Sequence, residues 1–123
     1  MKIRIKGNSI RVRLTQTEIA NFGKDGIIEE ETRFPGGNSF RYCLQRKTGI
    51  NRLEAALKDN CITIGIPEPL STEWTTTDRV GFDDRLELDN GQQLLLLIEK
   101  DFVCLDNTLE DQSDNYPNPR AVC

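Results

Sequence analysis

Offset by 52 positions, this chain repeats itself. Lys6-Gly7-Asn8-Ser9-Ile10 falls on Lys58-Asp59-Asn60-Cys61-Ile62, Val12 on Ile64, Leu14 on Ile66 and Phe22 on Trp74. Two one-residue slips near predicted turns, where insertions are cheapest, bring Phe34 onto Leu88 and Gly37 onto Gly91. The same slips bring Phe40, Tyr42 and Leu44 onto Leu94, Leu96 and Ile98. Turn residues, apolar parity and a helix aromatic all agree, which is the mark of an internal duplication. The expected organisation is a single domain over residues 1–123, with repeat one at 2–46, repeat two at 53–100 and an acidic tail at 101–123.

Each repeat reads as strand, strand, helix, strand, strand. Ile3 and Ile5 alternate with Lys2, Arg4 and Lys6; Gly7-Asn8 is a turn signal; Ile10, Val12 and Leu14 alternate with Ser9, Arg11 and Arg13. Two period-2 runs around such a turn predict a β-hairpin, apolar on one face and basic on the other. Thr15 with Glu18 three residues on is a capping box, and Ile19 and Phe22 give a short helical stripe that Gly23 and Gly26 end. Ile27 to Phe34 and Phe40 to Leu44 then form a second hairpin around Pro35-Gly36-Gly37-Asn38.

In the second copy, Leu53, Ala55 and Leu57 lead to an Asp59-Asn60 turn and to Ile62, Ile64 and Ile66. A short helix opening at Pro67 and Pro69 carries Trp74, since proline is tolerated in a first helical turn. Strands over Val80 to Leu88 and Leu94 to Glu99 flank Asp89-Asn90-Gly91. The expected core is Ile5, Ile10, Val12, Leu14, Phe22, Leu57, Ile62, Ile64, Ile66, Trp74, Leu96 and Ile98. The fold class is mainly β with two short helices, an internally duplicated ββαββ arrangement.

Gly7-Asn8-Ser9-Ile10-Arg11-Val12-Arg13-Leu14 resembles the GNS-x-x-VRIP stretch of AbrB/MazE-type swapped-hairpin proteins. The second copy, Asp59 to Pro67, lacks the Gly and the Arg but keeps the apolar positions and regains the Pro. The whole chain, with its DFVCLDN and DNYPNP tail, also resembles a family of small bacterial proteins with no assigned function. The AbrB-like resemblance implies a β-barrel built by exchange of hairpins, here from the two halves of one chain, a pseudo-dimer that acts as monomer or dimer. One unit of under about fifty residues has little core of its own. Two linked copies bury each other's faces without a concentration-dependent pairing step.

The same resemblance implies duplex-DNA binding through the first hairpin, by Lys2, Arg4, Lys6, Arg11 and Arg13 with Asn8 and Ser9. Arginine suits such contacts because its planar fork grips guanine or phosphate at two points. The alternative is a solvated basic face, paired with the acids of Glu29, Glu30 and Glu31 on a neighbouring strand. The matching hairpin of repeat two carries only Glu54, Lys58 and Asp59, so there is one basic hairpin where a symmetric reader has two.

Net charge is −4, and the excess sits in the tail: residues 1–100 balance fifteen bases against fifteen acids. In antitoxins of this general type an acidic tail grips a basic protein partner, and here Leu105, Asp106, Leu109, Asp111 and Tyr116 are the candidates for such contacts. The alternative is that the tail's apolar residues fold back onto the domain, along a path that Pro117 and Pro119 keep extended.

The sequence carries no His, no G-x-S-x-G, no phosphate loop and no dinucleotide fingerprint, so no enzyme activity, cofactor or metal is expected. Cys43, Cys61, Cys104 and Cys123 form no CxxC pair, and free thiols in a cytoplasmic protein are expected. The longest apolar run, Leu94 to Ile98, is far short of a membrane span.

Overall fold

The alternation of apolar and charged residues produces eight strands, and the capped stripes produce two helices. In a computed structural model that describes residues 1–102 and 114–117, strands β1 (Lys2–Lys6) and β2 (Ser9–Leu14) precede helix α1 (Gln16–Asp25). Strands β3 (Ile27–Arg33), β4 (Ser39–Lys47), β5 (Glu54–Lys58) and β6 (Cys61–Pro67) follow. Helix α2 (Glu68–Thr76) and strands β7 (Gly81–Glu87) and β8 (Gln93–Lys100) complete the fold.

The strands form two four-stranded sheets, ordered β1-β2-β8-β7 and β3-β4-β6-β5. Each sheet takes one hairpin from each repeat. The hairpins meet along parallel pairs, β2 with β8 and β4 with β6. The duplication holds residue by residue: Ile10 pairs with Leu96 and Ile62 with Tyr42, which is the 52 and 54 offset of the sequence. The backbone repeats it too. The Leu95 N–H donates to Asn8 and the Arg41 N–H to Asn60, and the turns at Asn90-Gly91 and Gly36-Gly37 share positive φ.

The inner faces of both sheets enter one core with Val12, Leu14, Leu44, Ile64, Ile66, Leu96 and Ile98. The expected closed barrel does not form: among the described residues no ladder joins the two sheets, and β1, β7, β3 and β5 remain edges. Charged side chains on β1 and β3 oppose edge-to-edge pairing there. Ile5 and Leu57, expected in the core, are 55% and 71% exposed. Both sit two residues before a hairpin turn on an outer strand. There the hairpins leave a groove of about 290 Å³ between them, lined by Ile5, Ala55, Leu57, Ile62 and Leu94.

The helices close one end of the core. Thr15 caps α1 in a full capping box with Glu18, which also receives the amino terminus of Met1. The helix runs through Gly23, expected to stop it, and ends at Gly26, whose φ of 75° suits glycine. Gly23 instead lies where the helices approach closely: a Cβ there would be 3.3 Å from the Thr75 Cβ of α2. Phe22 and Trp74 meet edge-on, with centroids 6.1 Å apart. The related bases Arg46 and Lys100 each serve a helix carboxyl end. Arg46 Nη2 donates to the Phe22 and Gly23 carbonyls at 3.1 and 2.7 Å, and Lys100 Nζ to Thr77 at 2.8 Å.

The approach to β5 is tied across to β7. Burial alone would raise the Asp84 carboxyl, but Arg52, with the N–H groups of Arg85 and Leu53, outweighs it and holds the group below its ordinary value. A depressed carboxyl contributes stability in full above its unfolded value of about 4, lost as pH falls through the folded value. Asp84→Asn is therefore expected to lower stability at pH 7 by up to about 1 kcal/mol. It should also flatten the acid-side decline below about pH 4. Urea midpoints measured from pH 2 to 7 check this; parallel pH curves for the two proteins would refute it.

Candidate functional site

Alternation in β1, β2 and β7 puts every second residue on the outer face of the first sheet, in rows that cross four strands. Lys6, Ser9, Leu95 and Arg85 form one row. Arg4, Arg11, Leu97 and Asp83 form the next, and Lys2, Arg13, Glu99 and Gly81 the third. All five hairpin bases therefore share one face, as expected from their parity.

Their chemistry divides them. Arg11 and Arg13 converge on one oxygen of Glu99, with the Arg13 Nε 2.9 Å away and Arg11 also in direct contact. Lys2 Nζ lies 3.1 Å from the buried carboxylate of Asp101. The acids that hold these bases come from β8 and the residue after it; Glu29, Glu30 and Glu31 belong to β3 in the other sheet. Asn8 Nδ2 donates to the Gln93 carbonyl at 2.7 Å, and Ser9 Oγ to the Lys6 carbonyl at 2.7 Å. Both therefore pin the turn rather than project from it. Among the described residues, no ion pair or hydrogen bond engages the side chain of Arg4, Lys6 or Arg85, and all three are exposed.

These three cations border a half-open cleft of about 310 Å³, together with Arg11, Asp83 and Asp84. Its floor is Leu95 and Leu97, the outward residues of the apolar run, and Leu95 is 40% exposed. Sequence reasoning missed the floor because five consecutive apolar residues carry no period from which to assign a face. It missed Arg85 because nothing local pairs the β7–β8 hairpin with β2.

The second sheet offers no equivalent. At the positions of Arg4, Lys6, Arg11 and Arg13 it has Ala56, Lys58, Thr63 and Gly65. Its larger cleft, about 610 Å³, is lined by Lys47 and Arg52, which are paired with Glu54 and Asp84. Cys43 and Cys61 are free thiols, both within 4 Å of the Thr63 hydroxyl, and burial pushes the Cys43 thiol up, which keeps it protonated.

The candidate tail contacts are only partly within the described residues. Leu105, Asp106, Leu109 and Asp111 lie outside them, as do Cys104 and Cys123. Tyr116 is folded back: its ring meets Phe102 at a tilt with centroids 5.5 Å apart, Lys100 Nζ lies 5.1 Å from its centroid, and its main-chain N–H donates to the Asp101 carbonyl. Beside it, the Asp114 carboxylate accepts from the N–H and hydroxyl of Thr17 in the first turn of α1. Among the described residues no group of His, Cys, Asp and Glu could hold a metal ion, and no helix is long and apolar enough to cross a membrane.

These features define an internally duplicated, mainly β protein with two sheets built by exchange of hairpins and one asymmetric, cation-rimmed face. The chain belongs to a family of unknown function, DUF7009, whose model matches residues 1–120. No curated protein and no solved structure matches it.

Proposed function

We propose that this protein is a non-enzymatic interaction module that binds an acidic protein partner through the outer face of the first sheet. The observation that carries this reading is the placement of Arg4, Lys6 and Arg85, whose side chains have no partner among the described residues, around a leucine floor of which Leu95 is exposed. Unspent cations offer attraction without an ion pair to break, and exposed leucines gain by losing water. The exchange of hairpins supports reading the chain as a pseudo-dimer of the kind that the AbrB/MazE resemblance implies. The basic surface does not follow that pattern into duplex-DNA binding. Arg11 and Arg13 are held by Glu99, and Asp83, Glu87 and Glu99 repel a continuous polyanion from the same face.

The test is a pair of fluorescence-anisotropy titrations at low salt, with a labelled peptide of glutamates spaced by serines and a labelled DNA duplex. The intact protein is compared with an Arg4→Glu/Lys6→Glu variant. The glutamate–serine peptide should bind more tightly than DNA and lose at least about tenfold affinity in the variant, more than one ordinary charge contact supplies. Undiminished binding by the variant, or preferential DNA binding, would overturn the reading. The reversal belongs on Arg4 and Lys6, since changing Arg11 or Arg13 would set new carboxylates against Glu99.

A further inference from the structure

We infer that the cleft takes an extended peptide of the pattern acid-x-leucine-x-acid, laid across the strands. This rests on the reading of the first sheet's outer face as the binding face, and adds what that face selects. Lys6 and Arg85 stand at the two ends of one row, on the outermost strands, with Leu95 between them. Three strand spacings put their Cα atoms roughly 14 Å apart. An extended peptide covers about 13 Å from one residue to the fourth after it and presents alternate side chains to one side. Carboxylates at the first and fifth positions thus reach Lys6 and Arg85, and the third side chain meets Leu95 and Leu97.

Arg4, two residues before Lys6 on the same face, is close enough to share the first carboxylate. Asp83 beside Arg85 excludes a run of acids at that end, which favours spaced carboxylates over a continuous acidic stretch or a phosphate backbone. The cleft is open and, among the described residues, has no aromatic side chain in its lining, so it lacks both the enclosure that small-molecule sites use and the stacking platform of single-stranded nucleic acid.

The experiment uses the full chain and a dye-labelled peptide, Gly-Ser-Glu-Ser-Leu-Ser-Glu-Ser-Gly, read by anisotropy. Comparison peptides carry alanine for the leucine, glutamine for both glutamates, or the same residues in the order Glu-Glu-Ser-Ser-Leu. The parent peptide should saturate at about 1 mM or below, and the alanine peptide should bind about tenfold more weakly, as for loss of a partly buried leucine. The glutamine and reordered peptides should lose at least as much. If the alanine and reordered peptides bind as well as the parent, the pattern is overturned, while acid binding at the face stands. If no glutamate peptide binds, both readings fail. A Leu95→Ser protein, changed only at an exposed position, should make the parent and alanine peptides equivalent; a preserved preference for leucine would place the apolar contact elsewhere and overturn the proposal.

Discussion

Replacing Trp74 with alanine is expected to remove about 3–5 kcal/mol of stability, the scale for deleting a buried aromatic side chain. Trp74 is fully buried, packs edge-on against Phe22 at 6.1 Å and Phe82 at 5.1 Å, and donates its indole N–H to the Val80 carbonyl at 3.0 Å. It therefore joins both helices to β7, and its loss opens the closed end of the core. Against a total of about 5–15 kcal/mol for an ordinary domain, the variant is at or near unfolding at 37 °C. Trp74→Phe keeps most of the apolar contact and gives up the hydrogen bond, so a loss of about 1–2 kcal/mol is expected. The chain has a single tryptophan, so both variants are followed by far-ultraviolet circular dichroism in urea. A Trp74→Ala protein within about 1 kcal/mol of the parent would mean that the helices close nothing essential.

Gly81→Ala carries the second large effect, about 3 kcal/mol, through crowding. An added Cβ would lie 2.3 Å from the Ile98 carbonyl oxygen and 2.8 Å from the Glu99 Cα, both on the main chain of β8. Main chain in a ladder cannot swing aside, so relief requires β7 to lift from β8 at this end. Val80 lies at the same end, and its carbonyl accepts from both Trp74 and Lys100, so the strain reaches the core. Gly65→Ala is the matched control: the new methyl group crowds the flexible Lys47 side chain, at 2.9 Å, and meets Glu54 at an ordinary 3.6 Å, so a change below about 1 kcal/mol is expected. Amide hydrogen exchange should show faster opening at Phe82 in the Gly81 variant. Equal urea midpoints for the two variants would contradict this account of β7.

The duplication was legible because it left its mark in several independent signals. Paired turns, shared apolar parity and an aromatic at one helix position specify one register, and the ladders follow it from Ile10–Leu96 to Ile62–Tyr42. Parity on β1 and β5 placed Ile5 and Leu57 inward correctly. It could not say that the facing hairpins leave space at the turns, because burial depends on what lies opposite. Closure of a barrel was beyond local pattern for the same reason. The basic hairpin was legible as a face, whereas the partners that divide its cations were not. Glu99 reaches Arg11 and Arg13 from 88 and 86 residues away, through a parallel pairing that no local signal encodes. Arg46 reads as an ordinary strand base until its contact with the end of α1 is seen.

The exchange of hairpins also governs how the protein is made. When the first half of the chain leaves the ribosome, its two hairpins belong to different sheets, and neither has its neighbour. Ser9–Leu14 waits for Gln93–Lys100, more than eighty residues further on. Closing such distant contacts costs entropy before any contact repays it, which slows folding. The first hairpin pair therefore spends most of synthesis with exposed strand edges. The second sheet has all its strands once Pro67 is made, whereas the first sheet and the shared core are complete only when β8 is released.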